Sequence, residues 1–321
     1  MAYSAGTINS SFGNSGQQML TAIEEALTAH PAWEFVEGVT VSFAWRVWRC
    51  SGAQNMSGED FHIALTYGSG VLMVKVFEGW NTNGKLAQKI VPNDSGVVPS
   101  GDGSYASAGV TLEASGLSTI LTPQVNLSTS VATNWNIHVS KSRLFASAWH
   151  TGGTPTQWTM SALLVGLATP RAGYPKCLFG ARSGMIFETY QSPTSGYSAA
   201  SRGVNGVAAS HRIGIYPASP AREGMVRAGA NIPDPISGDI VGVPVIIVGP
   251  ESMSYNAYVP GTMGWRATLD DVLFFNEPWY TYVSDMRPPG DIAEIGGVSY
   301  VKFGTPTGVG GGLWVRMDSD I

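Results

Sequence analysis

Residues 39–80, VTVSFAWRVWRCSGAQNMSGEDFHIALTYGSGVLMVKVFEGW, are the stretch from which we predict the fold of this chain. Large apolar side chains recur at every second position over 39–50 and again over 61–67, and this period of two indicates half-buried strands. Residues 71–78 are apolar on both faces except at Lys75, so we expect other elements to cover both sides of that strand. A turn that contains two glycines joins the last two strands as a hairpin. The stretch therefore predicts three consecutive antiparallel strands.

One amphipathic helix is predicted before this stretch, over about residues 15–29. Ser15 at the N-cap position and Gln18 three positions later match a capping box. His30 and Pro31 end the helix, because proline disfavours the α conformation at the residue before it. The apolar residues that recur at helical spacing are Met19, Leu20, Ile23, Ala26 and Leu27. We expect this apolar stripe to lie across one face of the 39–80 sheet.

The remainder of the chain predicts more strands, separated by long polar stretches. Residues 81–109 have little hydrophobic period, so we predict a long loop there. Residues 191–210 are rich in Ser, Gly and Ala, and we interpret them as either a mobile loop or a segment that orders against another chain. Residues 169–184 are irregular. In the first half, the apolar patterns at 135–139 and 143–149 predict a hairpin that turns at 140–142. The apolar run at 161–167 predicts one further strand. In the second half the strand candidates are 185–190, 212–216, 224–227, 241–248, 266–275, 298–303 and 313–317.

These patterns divide the chain into three parts. Residues 1–14 are small and polar, and we interpret them as an N-terminal arm or an edge segment. Residues 15–168 form a unit of one helix and an antiparallel sheet, and residues 169–321 form a second β-rich unit with extended loops. The predicted fold class is therefore α+β and β-dominated, with an N-terminal helix packed on an antiparallel β-meander.

Composition argues against several classes of protein. Of the 321 residues only 13% are charged, against about a quarter in an average protein. The net charge of −5 and the lack of a Lys/Arg cluster argue against a specific nucleic-acid partner. No apolar run approaches the roughly 20 residues that span a bilayer, so we predict no membrane span. The first residues lack the features of a signal peptide, which predicts synthesis in a cytoplasm and free thiols at Cys50 and Cys177.

The histidines and cysteines do not form a recognisable metal or redox motif. None of the five histidines stands in an HxH, HxxxH or HExxH spacing, and the cysteines lack a CxxC partner. We therefore predict no metal site and no cofactor. The five histidines are His30, His62, His138, His150 and His211, and we interpret His62 and His138 as sheet-face or interface residues.

Candidate catalytic motifs also fail on spacing, so we predict that the protein is not an enzyme. Asp270 and Asp271, with Glu277 nearby, could suggest a glycosidase pair. Adjacent residues of a strand point to opposite faces, however, so the two aspartates cannot flank one bond. Residues 180–184, GARSG, depart from the G-x-S-x-G elbow, and the glycines at 308–310 are not followed by a dinucleotide-binding helix.

Ten tryptophans leave a carbohydrate-binding function open, because exposed aromatic platforms bind sugars. Seven of them fall in or beside predicted strands and hairpins, where core or interface packing explains most of them. These seven are Trp33, Trp45, Trp48, Trp80, Trp135, Trp149 and Trp158.

Several segments together resemble virion structural proteins of tailed bacteriophages. They are WEFVEGV followed by FAWRVWRC, then GEDFHIALTYGSGVLMVKVFEGWN, WNIHVSKSRLFASAW, SALLVGLATPRAGYPKC, MGWRATLDDVLFF, GDIAEIGGVSYVKFG and LWVRM. The resemblance implies a subunit present in several copies, assembled in the host cytoplasm and held by other virion proteins in a tail, baseplate or head-to-tail connector. It implies no catalytic residues. The alternative is a carbohydrate-binding adhesion module at the tail tip that contacts a host-surface glycan.

Overall fold

The computed structural model of the protein describes residues 2–9, 14–40, 44–68, 70–91, 110–112, 124–128, 131–150, 161–172, 177–182, 200–202, 208–210, 212–215, 243–250, 263–275, 289–304 and 312–321. These residues form one α-helix and twenty β-strands. The strands belong to two sheets, and the pairings within both sheets are antiparallel. The predicted β-dominated α+β fold is confirmed.

The first sheet is built around the stretch from which we predicted the fold. Its strand order is β2-β3-β4-β5-β6-β7, and β8 also pairs with β5. The bounds are β2 Trp33–Thr40, β3 Ala44–Cys50, β4 Phe61–Gly68, β5 Val71–Asn81, β6 Leu86–Val91, β7 Val110–Thr111 and β8 Gln124–Asn126.

The single strand predicted over 39–50 is wrong, because the chain turns between Thr40 and Ala44 and pairs β2 with β3. In this hairpin Val39 lies opposite Trp45, and both side chains are buried in the same cluster. Directly opposed residues share a face of the sheet, so the alternation of apolar residues runs on from β2 into β3. The sequence pattern therefore does not show where the chain reverses. The period of two predicted over 61–67 is confirmed, because Phe61, Ile63 and Leu65 lie in one hydrophobic cluster and Ala64 lies in another. Strand β5 is covered on both sides as expected.

Three stretches that lack a hydrophobic period nevertheless contain strands. The loop predicted over 81–109 is wrong at its start, where β6 pairs with β5; residues 92–109 lie outside the described part. The irregular segment 169–184 contains strand β12, and the loop predicted over 191–210 contains β13 and β14. These strands are short or poor in β-branched residues, so their pairing depends on neighbours distant in sequence. The strands predicted at 185–190 and 224–227 lie outside the described residues.

The second sheet combines strands from both ends of the chain. Its main path is β1-β9-β10-β11-β17-β20-β19-β18, with β12-β13-β14 branching from β11 and β16-β15 from β17. Strand β11 crosses the domain boundary predicted between residues 168 and 169, and that division stays a prediction. The bounds are β1 Ala2–Ile8, β9 Thr133–Val139, β10 Arg143–His150, β11 Ser161–Pro170, β12 Cys177–Arg182, β13 Ala200–Arg202, β14 Ala208–Ser210, β15 Arg212–Ile215, β16 Val243–Pro250, β17 Met263–Phe275, β18 Ile292–Ile295, β19 Val298–Gly304 and β20 Gly312–Arg316.

Helix α1, Ser15–Thr28, lies between the two sheets. All five residues of the predicted apolar stripe are buried, which confirms that face. The predicted capping box is wrong: the N-cap residue is Asn14, without a side-chain cap. The side-chain amide of Gln18 instead donates a hydrogen bond to the carbonyl oxygen of Asn9 at 3.4 Å. Gly16 lies against the backbone of the β4–β5 hairpin, so packing rather than capping positions the start of the helix.

Buried apolar residues form three hydrophobic clusters in the described part of the chain. The largest joins α1 to the inner face of the first sheet and to one face of β9, β10 and β11. A second cluster lies on the other face of β10 and β11, beneath β17, β19 and β20. The third covers the outer face of the first sheet, around Trp45 and Phe77.

Candidate assembly surface

Strand β1 is the longest end strand of the second sheet among the described residues. All seven of its residues pair with β9, from Ala2 opposite Val139 to Ile8 opposite Thr133. Among the described strands β1 has no partner on its other side. Its sequence, AYSAGTI, contains neither a charged residue nor a proline, which are common means of blocking unwanted strand pairing at an edge. Backbone groups on such an edge can accept an added strand.

Side-chain contacts hold β1 firmly against β9. The hydroxyl of Tyr3 donates to the side-chain oxygen of Asn136 at 3.1 Å, and that of Thr7 donates to the side-chain oxygen of Asn134 at 2.8 Å. The indole of Trp135 lies across Gly6 so closely that a Cβ atom there would stand 2.6 Å from Cζ2. Residues 2–8 therefore form an edge strand of the second sheet, and the interpretation of the whole segment 1–14 stays a prediction.

The other described end strands are shorter or carry charges. Strand β2 has Glu34 and Glu37, which pair with Arg49 and Lys85, and a register shift between Phe35 and Glu37. Both features hinder strand addition. The remaining end strands, β7, β8, β14, β15 and β18, are two to four residues long.

The turn between β9 and β10 joins β2, β3 and the last residues of the chain. The indole N–H of Trp33 donates to the carbonyl oxygen of Ser140 at 2.7 Å, and the thiol of Cys50 donates to that of Lys141 at 3.0 Å. The hydroxyl of Ser140 donates to the carbonyl oxygen of Ile321 at 2.7 Å, and the N–H of Lys141 donates to a carboxylate oxygen of Asp320 at 3.0 Å. This turn therefore links the first sheet to residues 320 and 321.

His30 contributes to the same junction. Its Nδ1 accepts the backbone N–H of Ala32 at 3.2 Å, so its Nε2 carries the proton and donates to Asp320 at 2.9 Å. Burial lowers the pKa of His30, and the hydrogen bond to Asp320 opposes that shift. The neutral ring is the form that satisfies both contacts.

Asp270 and Asp271 lie on opposite faces of β17, as predicted. Asp270 is exposed and accepts a hydrogen bond from the hydroxyl of Thr169. The side chain of Asp271 is fully buried and pairs with the equally buried guanidinium of Arg143. The Nε–H of Arg143 also donates to the carbonyl oxygen of Leu167 at 2.6 Å. The buried carboxylate is thus held inside the fold by an arginine, and the two aspartates do not converge on one cleft.

His138 lies in the interior near this ion pair. Its side chain is fully buried and stacks on Phe145 with ring centroids 6.2 Å apart. Neither ring nitrogen has a hydrogen-bond partner among the described residues. Burial lowers the pKa of His138 to about 4, although the nearby charge of Asp271 acts in the opposite direction. His138 is therefore a neutral core residue, in line with the interpretation of it as a sheet-face histidine.

This burial predicts a pH-dependent stability. In the unfolded chain His138 takes up a proton near its usual pKa of 6.5, whereas the folded ring stays neutral down to about pH 4. Lowering the pH through this window therefore favours the unfolded state. We expect wild-type protein to lose about 3 kcal/mol more unfolding free energy than a His138→Leu variant between pH 6.5 and pH 4.

Urea denaturation of both proteins at a series of pH values measures this difference. Near neutral pH the two should have similar stability, because the substitution removes a buried polar group that has no described partner. Identical losses in acid for the two proteins would contradict the assignment.

His62 and Cys50 are also buried in the fold. The Nδ1 of His62 lies 3.2 Å from the carbonyl oxygen of Glu78, and burial lowers the pKa of this ring. Cys50 is a buried free thiol whose pKa burial raises to about 12, which makes it unreactive. Within the described part of the chain, no three His, Cys, Asp or Glu residues are grouped as metal ligands. His211, Glu277 and the side chain of Cys177 lie outside the described residues, as does the segment 308–310.

The described tryptophans do not form an exposed aromatic row. Trp80 and Trp135 are partly buried, and Trp158 lies outside the described residues. The others whose burial the structure describes are buried: Trp33, Trp45, Trp48, Trp149 and Trp314. Most of them therefore serve packing, and several indole N–H groups are directed into the protein rather than toward solvent.

Sequence reasoning missed the buried ion pair Arg143–Asp271 and the junction of the β9–β10 turn with residues 320–321, and of these two features only the ion pair leaves a signal in the sequence. Arg143 begins the apolar segment RLFASAW and Asp271 stands within LDDVLFF, and charged residues in apolar strand patterns are rarely buried unless they are paired. The junction of the β9–β10 turn with residues 320–321 has no comparable signal, because each of its hydrogen bonds joins a side chain to a backbone group far away in the sequence.

No protein-family model matches this sequence, and no curated protein matches it either. No helix in the described ranges is long and apolar enough to cross a bilayer. A function is therefore proposed from the geometry of the described residues and from the sequence resemblance given above.

Proposed function

We propose that this protein is a structural component of a tailed-phage particle, placed in the tail, the baseplate or the head-to-tail connector. It acts through interfaces with copies of itself and with other virion structural proteins, and it is assembled in the host cytoplasm. The observation that carries the proposal is the uncharged strand β1, which pairs with β9 on one side and has no partner on the other side among the described strands. The low fraction of charged residues and the resemblance of several segments to phage virion proteins support it.

The interior of the protein supports a structural role in a second way. The buried charged pair Arg143–Asp271 is held by contacts within the fold, and so are the polar groups of the β9–β10 turn. Such arrangements contribute to one defined conformation, which an assembly subunit requires. The functional step is then the formation of interfaces, in which backbone groups on an edge find partners in a neighbouring subunit.

No observation among the described residues favours the glycan-binding alternative. An adhesion module is expected to present a row of exposed aromatic rings, and the described tryptophans are buried or partly buried. Other aromatic residues, among them Trp158, lie outside the described residues, so an experiment decides on glycan binding. A binding assay on host-surface polysaccharide, run beside the localisation described next, distinguishes the two functions.

Localisation in purified particles tests the proposal. Antibodies raised against the recombinant protein are applied to density-gradient fractions of a phage lysate, and the particle fractions are imaged by immunogold electron microscopy. We expect the protein to sediment with tail-containing particles and the gold to lie at the tail, baseplate or head-to-tail junction. Protein found only in the soluble fractions, with unlabelled particles, would rule the proposal out.

A further inference from the structure

We propose that strand β1 is a homotypic interface, in which the β1 strands of two copies pair edge to edge and antiparallel about a two-fold axis at Ala5. The inference rests on the proposed function, in which the protein acts through subunit interfaces, and it names one interface and its partner. It joins the second sheets of two subunits into one continuous sheet across the interface.

The first argument is the geometry of the strand. Two identical strands that pair antiparallel make an isologous contact, in which the same surface serves both partners. With Ala5 opposite its copy, Tyr3 lies opposite Thr7 and Ser4 lies opposite Gly6 of the second chain. All seven residues of β1 keep a regular register with β9, so no bulge interrupts the edge that is offered.

The second argument is charge. No residue of β1 is ionisable at neutral pH, so self-pairing does not set like charges against each other. Antiparallel pairing of β2 with its own copy would bring two sets of glutamates together, and the register shift in that strand disturbs its backbone as well. Strand β18 carries Glu294 and has only four residues. Among the described end strands, β1 is thus the one suited to a second copy of itself.

The third argument is shape. Ala5 and Thr7 are exposed and Ser4 is half-buried, so the side chains that flank the new pairing are small. Tyr3 is held toward Asn136 by its hydrogen bond, which keeps its ring on the sheet of its own subunit. A second β1 can therefore approach to pairing distance without displacing a large side chain.

Charge substitutions at the proposed axis test the inference. In Ala5→Lys or Ala5→Glu dimers, two like charges face each other, so we expect each variant alone to dimerise about tenfold or more weakly than wild type. An equimolar mixture of the two variants sets lysine opposite glutamate, and we expect it to regain association. Thr40→Lys, at an exposed position of β2, is the matched control and should dimerise like wild type. Sedimentation velocity over a concentration series measures each case, and circular dichroism checks that the variants fold.

Two outcomes would overturn the inference: wild-type protein that stays monomeric at every concentration, or dimers that form equally well in both Ala5 variants. Particle labelling separates this failure from failure of the proposed function. A monomeric protein that is nevertheless found in particles would refute only the β1 dimer. A protein that dimerises through β1 but is absent from particles would refute only the virion role.

Discussion

Replacing Asp271 with asparagine is expected to lower the free energy of unfolding by about 3–5 kcal/mol, because it leaves the buried guanidinium of Arg143 without a compensating charge. Both side chains are fully buried, and the Nε–H of Arg143 is already committed to the carbonyl oxygen of Leu167. The hydroxyl of Ser319, 3.4 Å from Asp271, cannot supply the missing charge. Equilibrium denaturation in guanidinium chloride measures the change.

The neighbouring aspartate provides a matched control on the same strand. Asp270 is exposed, so Asp270→Asn should change the unfolding free energy by only about 0.5 kcal/mol or less. The double variant Arg143→Met/Asp271→Leu removes both charges and should be more stable than Asp271→Asn, since buried ion pairs often tolerate apolar replacement. A double variant as unstable as the single one would show that packing, not the uncompensated charge, causes the loss. Equal effects at positions 270 and 271 would contradict the structure.

Gly166→Ala is expected to destabilise the protein by about 3 kcal/mol or more, because two separate costs coincide at this position. The residue has a φ of +134°, a conformation that residues with a side chain rarely adopt. A Cβ atom there would also overlap the carbonyl oxygen of Ser142 and lie 2.8 Å from the Cα of Arg143. That carbonyl accepts the N–H of Leu167 at 2.9 Å, so it cannot withdraw without breaking a backbone hydrogen bond.

Gly58→Ala separates the two costs. Gly58 has a φ of +73°, but a Cβ atom there would have no heavy atom within 4 Å among its surroundings. This variant should therefore show only the conformational cost, about 1–2 kcal/mol. The same denaturation experiment measures both glycine variants. If Gly166→Ala lost no more stability than Gly58→Ala, the close approach of β10 and β11 at Ser142 would be contradicted.

Local periodicity in the sequence determined several elements of this fold. The burial of Met19, Ile23 and Leu27 on one face of α1 follows from their helical spacing. The two faces of β4 follow from alternation, and the β9–β10 hairpin follows from two apolar runs around a short polar turn. In each case neighbours within a few residues of one another decide the conformation, so a window of the sequence contains the necessary information.

Other elements depend on residues distant along the chain. Strands β6 and β12 become strands because a partner strand supplies their hydrogen bonds, and their own composition gives little preference. The β2–β3 turn is concealed because residues on both sides of it share a face. These are cases in which the alternation of side chains specifies a face of a sheet without specifying where the chain reverses.

The candidate assembly surface shows the same division. The sequence alone determined that residues 2–8 are uncharged and mostly small, and that they contain no proline. Only the tertiary structure decided that this segment is an ordered edge, because its partner β9 lies more than a hundred residues away and the order of strands in a sheet is not a local property. The pairing of Arg143 with Asp271 joins residues 128 positions apart for the same reason. The composition of a segment is a local property of the sequence, whereas its position at the edge of a sheet is defined only when the rest of the sheet has formed.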